Sequence, residues 1–268
     1  MYFLFACLLA LHPPFLTPHH PGKPVYESQA FLQDSAANIR FVDGEPEPAR
    51  LQFEDSLVHL YNAMNLSDYD LAFDAFRYGM IGYGTLQQQG KLSDKKLLTI
   101  IDFTKPSTEK RFYILDLSSL RVTYHTYVSH GKNSGENKAT TFSNVLHSNQ
   151  SSMGFFATAE TYIGGKGFSL KLDGLEKGYN DNARERAVVI HEAEYVSESW
   201  IKKYGRLGRS QGCPALPKGL SKEIIQTIKN NTLIFAYYND TAYLQSSQYL
   251  NPAPLISSLP ASVPSSAE

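Results

Sequence analysis

Ala187-Val188-Val189-Ile190-His191 and Gly205-Arg206-Leu207-Gly208-Arg209-Ser210-Gln211-Gly212-Cys213-Pro214-Ala215 decide how this chain reads. The first stretch is a short apolar run that suits a buried strand, with a histidine directly after it. The second is a small-residue turn that carries a thiol. Two cysteines occur in the whole chain, and the other, Cys7, lies in an apolar leader. Cys213 is therefore left without an internal disulfide partner and is a candidate nucleophile.

A histidine at a strand end is held on a rigid element while its ring projects past the sheet edge, a good mount for a general base. Twenty-two residues separate His191 from Cys213. A helix and a turn fit in that interval and return the chain beside the strand end, within hydrogen-bond reach. Gly212 allows close backbone approach and unusual dihedrals. The amides of Gly212 and Cys213 are candidate donors to an oxyanion, whereas Pro214 has none. Arg206 and Arg209 bring positive charge that favours thiolate and keep a carboxylate-binding role open. A free cysteine alone is most often a small core residue, and a lone histidine a hydrogen-bonded structural one. Their combination in this spacing favours catalysis.

Outward from this pair, the texture from Gly90 onward is that of strands. Leu97–Phe103, Arg111–Leu117, Arg121–Val128, Gly154–Thr158, Phe168–Leu172 and Leu233–Tyr238 all read as strands, and Ser221–Asn230 and Glu194–Tyr204 as helices, the latter stopped by Gly205. Gly164-Gly165-Lys166-Gly167 reads as a hairpin turn. Upstream, Glu54–Gln89 is helical in period: Leu57, Leu60, Tyr61 and Met64 recur, then Leu71, Ala72, Phe76, Met80 and Tyr83, with Ser67 and Asp68 as N-caps of the second helix. This divides the chain into a leader and linker (1–24), a helical N-terminal segment (25–91), a catalytic domain (92–239) and a disordered Pro/Ser-rich tail (240–268).

The 268 residues allow one good-sized domain, and 42% hydrophobic and 12% aromatic content suffices for its core. A formal charge of −1 without a basic stripe argues against nucleic acid as the main partner. Met1–Leu11 is too short to span a bilayer and suits a secretory signal, although no Lys or Arg precedes it. Leu4-Phe5-Ala6-Cys7 loosely resembles a lipoprotein cleavage site, which keeps a lipid anchor at Cys7 as the minor alternative. His191-Glu192-Ala193-Glu194-Tyr195 starts like a zinc-protease motif, but Tyr195 stands where the second histidine belongs. No metal-ligand spacing and no cofactor motif is expected. His130, in His130-Gly131-Lys132, reads as a loop residue rather than a second base.

The same segments carry a resemblance. Ile190-His191 and Gly205–Pro214, with Val128–Gly135, Ser152–Phe156 and Leu172–Ala187, resemble the murein L,D-transpeptidase catalytic-domain family, in the branch with Gly-Arg-Ser-x-Gly-Cys-Pro at the nucleophile. The resemblance covers roughly Leu92 to Tyr238. It implies a β-rich α+β fold, a mostly-β catalytic domain with the helical segment as an N-terminal extension. It also implies export to the periplasm or cell envelope, with peptidoglycan stem peptides as partners. The implied reaction opens the bond between the third stem residue and the following D-alanine through a thioester. Cys213 is then the nucleophile, His191 the base, and Gly212 and Ser210 belong to the catalytic turn. Arg206, Arg209 and Gln211 are the candidate substrate-binding residues. Gln211 stands where many members have His. Glu192 stands where the broad pattern has Gly, a change that bears on the orientation or charge of His191. An L,D-carboxypeptidase using water as acceptor, or a cell-wall binding module that keeps the fold without turnover, are the alternatives.

Overall fold

Leu97–Asp102 is buried at every position because its two faces serve two different cores. Leu98 and Ile100 join one apolar cluster, while Leu97 and Ile101 join another on the opposite side. The same split recurs in Leu233–Tyr237, where Leu233, Phe235 and Tyr237 face the first cluster and Ile234 and Ala236 the second. Strands covered on both faces read as continuous apolar runs, which is how these two appear in the sequence.

The computed structural model describes residues 47–259. The expected leader and linker, and the alternative of a lipid anchor at Cys7, fall outside the described residues. Eight strands form one sheet: β1 (Leu97–Asp102), β2 (Phe112–Asp116), β3 (Arg121–Thr126), β4 (Gly154–Gly164), β5 (Gly167–Gly174), β6 (Val189–Ala193), β7 (Ala215–Pro217) and β8 (Leu233–Tyr237). Their order is β3-β2-β1-β8-β4-β5-β6-β7. The β1–β8 and β6–β7 pairs are parallel and the others antiparallel. The fold is the expected β-rich α+β arrangement, with an N-terminal helical layer on one face.

That layer consists of α1 (Glu47–Ala63), a 3-10 turn (Leu66–Tyr69) and α2 (Phe73–Gln88). Ser67 and Asp68 fall in the turn and do not cap α2, which starts after Ala72. Asn65 and Asp70, both left-handed, bracket the turn, and Leu66 and Leu71 are buried beside it. A buried ion pair ties the two helices: Arg77 Nε donates to Glu54 Oε2 at 2.7 Å, and its Nη2 to Oε1. Phe53, Leu57, Phe76 and Met80 share one core with Leu98, Phe155 and Phe235 of the sheet. No core boundary separates residues 25–91 from 92–239 within the described part.

The tail departs from expectation. Residues 240–259 were expected to be disordered because Pro, Ser and Ala dominate there. They form α5 (Thr241–Ser246) and α6 (Ala253–Ile256), named after α3 (Glu198–Tyr204) and α4 (Ser221–Ile228). The few apolar residues explain this: Tyr243, Tyr249, Leu250, Leu255 and Ile256 are all buried in the core under the helical layer. Residues 260–268 lie outside the described part. Among the described residues no helix is long and apolar enough to cross a membrane.

Candidate active site

β6 begins two residues later than the apolar run Ala187–Ile190 suggests. Ala187 is left-handed (φ 53°) and the Val188 amide donates to Ala183 O at 2.9 Å, so a turn occupies the start of the run. His191 is consequently the third residue of β6, and it is 4% exposed. β6 pairs in parallel with β7, with His191 opposite Ala215. Cys213 lies two residues before Ala215, in the turn that leads into β7. The parallel β6–β7 ladder thus brings the chain segments of His191 and Cys213 side by side.

The imidazole is oriented by its own strand. Nδ1 of His191 lies 2.8 Å from Glu192 O. A carbonyl only accepts, so Nδ1 carries the hydrogen and Nε2 keeps its lone pair, the tautomer of a general base. The contact uses the backbone of residue 192, so Glu and Gly serve equally as its source. Burial lowers the His191 pKa; the Glu192 carbonyl and carboxylate oppose this, while the Lys166 charge adds to it. The ring is accordingly neutral at neutral pH.

Cys213 is half-buried, and its Sγ donates to Ala187 O at 3.6 Å. Burial pushes the thiol up, while the Val189 N–H, Arg186 and Lys166 favour thiolate. The sequence pointed to Arg206 and Arg209 for that charge. Both instead meet Glu136: Arg206 Nε at 3.0 Å and Arg209 Nη1 at 2.8 Å. Arg209 also donates to Lys132 O and Gly135 O, so these two arginines fasten the 132–136 loop. Gln211 is exposed. Arg186 was quoted in the sequence only as part of a motif. Its guanidinium donates to Ser143 O, Ser152 Oγ, Ser148 Oγ and Gln150 O, which locks it beside the turn of Gly212 and Cys213. The signal available in the sequence was the second arginine of Arg184-Glu185-Arg186, five residues before His191.

Ser210 shapes the turn itself. Its Oγ donates to Cys213 O at 2.6 Å and accepts from Gly212 N at 3.0 Å. Gly212 has φ +124°, and Gln150 O lies 2.6 Å from where a Cβ would stand, so no other residue fits there. With its amide engaged by Ser210, Gly212 contributes conformation more than a free donor. The turn is anchored on the 129–132 segment by Ser129 N to Ala215 O, Ser210 N to His130 O, and Lys132 N to Ser210 O, all between 2.8 and 3.0 Å.

His130 is fully buried. Arg111 Nη2 donates to its Nδ1 at 2.7 Å, and its Nε2–H donates to Gly135 O at 3.3 Å. Burial first, then the Arg111 charge, pushes its pKa down to about 4. Its ring is committed to the scaffold and is not positioned as a spare base. Among the described residues no cluster of three His, Cys, Asp or Glu could hold a metal ion.

The family model for the L,D-transpeptidase catalytic domain matches residues 67–237. The chain belongs to this family. The match begins in the 3-10 turn and takes in all of α2, which agrees with the single shared core. Among solved structures, the L,D-transpeptidase from Mycobacterium smegmatis is 12% identical, over 53% of this chain and 59% of that one, at a TM-score of 0.34. That from Xylanimonas cellulosilytica is 17% identical, over 54% and 62%, at 0.32. That from Stackebrandtia nassauensis is 14% identical, over 79% and 89%, at 0.33. The chain thus spans about three-fifths of the first of these relatives. No curated protein matches it.

Proposed function

We propose that this protein is an exported cysteine L,D-transpeptidase that acts on peptidoglycan stem peptides at the periplasmic or cell-envelope side. The observation that supports the reading is the β6–β7 register, which sets His191 opposite Ala215 with Cys213 two residues before it, together with an imidazole held at Nδ1 by Glu192 O. His191 Nε2 takes the thiol proton and Sγ attacks the carbonyl of the third stem residue. The tetrahedral oxyanion is received by the Cys213 amide, since that of Gly212 is bonded to Ser210. Collapse breaks the peptide bond, and the imidazolium returns its proton to the leaving D-alanine amine. An amine of a second stem then attacks the thioester carbonyl and gives a proton to His191 Nε2; the C–S bond breaks and the departing thiolate takes that proton back as the thiol. Arg186 and the Val189 amide offset the burial that otherwise disfavours thiolate.

Incubation with a tetrapeptide-stem muropeptide tests this. The expected product is a Cys213 acyl adduct seen by mass spectrometry, followed by a cross-linked dimer. Cys213→Ser should keep the fold and lose the adduct, because a hydroxyl is a far weaker nucleophile at neutral pH. Near-normal turnover by the Ser variant would refute the thiol mechanism. Release of tripeptide without cross-linked product would identify water as the acceptor.

A further inference from the structure

A cavity of about 590 Å³ lies between the helical layer and the 102–109 segment that follows β1. Its size is that of a small-molecule site. None of its lining residues belongs to β6, to β7 or to the turn of Gly212 and Cys213. Leu71, Ala72 and Pro106 give it an apolar wall. Three carboxylates, those of Asp70, Asp102 and Glu109, line it against a single cation, Lys105.

Asp102 is fully buried, yet only one of its carboxyl oxygens is paired. Oδ1 accepts from Thr104 N at 3.0 Å and from Thr104 Oγ1 at 2.5 Å. Oδ2 has no hydrogen-bond partner among the described residues. Buried polar atoms are nearly always paired, so an orphan acceptor on a cavity wall calls for a donor from outside the chain. The neighbouring cations are committed elsewhere. Lys105 Nζ donates to Asp70 Oδ2 at 2.7 Å, Asp70 O at 2.9 Å and Tyr113 OH at 3.2 Å, and lies 3.6 Å from Glu109 Oε2. The Arg111 guanidinium donates to Val128 O, Lys105 O and His130 Nδ1. Burial raises the Asp102 pKa, against the Thr104 hydrogen bonds and the Lys105 and Arg111 charges. A positive group brought to Oδ2 favours the ionised form.

We infer that this cavity binds an aliphatic ammonium, its charged head on Asp102 and its hydrocarbon stem along Leu71, Ala72 and Pro106. An ammonium fits better than a metal ion. Among the described residues no three His, Cys, Asp or Glu converge as a metal site, and an apolar wall does nothing for a hydrated ion. It covers the methylenes of a carbon stem, each worth about 0.8 kcal/mol when buried. A second ammonium on the same stem meets Glu109, which is exposed where it lines the cavity. A diamine therefore uses both ends of the site.

Calorimetric titration of the protein with cadaverine tests this, and no step depends on turnover or on the transpeptidase reading. Cadaverine should bind saturably at one site, and uncharged pentanediol about tenfold more weakly. Asp102→Asn keeps the shape and the acceptor for Thr104 but removes the charge, and should weaken cadaverine about tenfold. Ala72→Phe narrows the cavity from an exposed position without altering Asp102, and should weaken it as well. Circular dichroism melting checks that each variant folds, and either folded variant suffices for the test. Absence of saturable binding, equal binding of diamine and diol, or an affinity unchanged in a folded variant overturns the inference. Calcium that displaces cadaverine one for one overturns it in favour of a metal site.

Discussion

Gly82→Ala tests whether the helical layer and the sheet are one structure. On an open helix this change is favourable by about 1 kcal/mol. Here the new Cβ would sit 2.0, 2.4 and 2.7 Å from Cζ, Cε1 and Cε2 of Phe155. That ring cannot withdraw. It is fully buried and stacked on Phe235 at 4.3 Å, with the Tyr249 ring set edge-on at 6.0 Å. Overpacking costs about 1–3 kcal/mol, and a required displacement of more than 1 Å puts this site at the upper end. The net loss is then about 2 kcal/mol, or ~4–8 °C in melting temperature for a domain of this size. Gly79→Ala is the control on the same helix face. Its Cβ would meet Leu98 Cδ2 and Ile100 Cδ1 at 3.3 Å, the mobile ends of aliphatic side chains. It should stay within about 1 kcal/mol of the parent. Urea denaturation followed by circular dichroism reads both, with an unchanged slope confirming a common unfolding transition. A Gly82→Ala protein as stable as the parent, or a Gly79→Ala protein equally damaged, would refute the packing of α2 on β1, β4 and β8.

Four further outcomes follow from the site. Arg186→Met should raise the Cys213 thiol further and move iodoacetamide alkylation to higher pH, with Arg186→Lys shifting it less; superimposable profiles would remove Arg186 from the electrostatics of the thiol. His191→Ala should lose acylation. Glu192→Gln keeps the carbonyl that holds Nδ1 but removes a carboxylate favouring the protonated ring, so it should stay active with its acidic limb moved to lower pH. Loss of acylation in Glu192→Gln would contradict the backbone role. His130 has a folded pKa of about 4 against an ordinary 6.5, so the unfolded chain takes up this proton first as pH falls. Its contribution is complete above about 6.5 and disappears as pH falls through 4, about 3 kcal/mol in all. Denaturation midpoints across that window should show the loss, and His130→Gln should flatten it; an equally steep profile in the variant would assign the effect elsewhere.

The strand that carries His191, the turn that carries Cys213 and most other strands were legible because each is written locally. A strand repeats at every second residue, and the Cys213 turn advertises itself by its small residues. What escaped was delivered from a distance. The Arg186 and Lys166 charges that favour thiolate at Cys213 come from the 175–188 connection and the β4–β5 hairpin, and nothing in their own neighbourhoods distinguishes them from Arg206 and Arg209. Those two arginines sit close to Cys213 in sequence, yet Glu136, more than sixty residues upstream, takes them both. Glu192 seemed a departure that could disturb the base, but the contact that matters comes from its main chain. Residues 240–259 were misread because composition outweighed five buried apolar side chains spread over fourteen positions.

The place of β8 in the sheet has a consequence for how the protein is made. Among the described residues it is the last strand, and it lies between β1 and β4, so there it alone joins β3-β2-β1 to β4-β5-β6-β7. A nascent chain emerging at ~5–20 residues per second has the thiol, the base and both half-sheets in hand before the strand that unites them. Closure waits for residues 233–237, and the core beneath the helices waits longer still, for Tyr243 through Ile256. Pairings of such long sequence separation form slowly. Closure of the sheet thus comes late, and a chain clipped before residue 233 holds Cys213 and His191 without the strand that unites the two half-sheets.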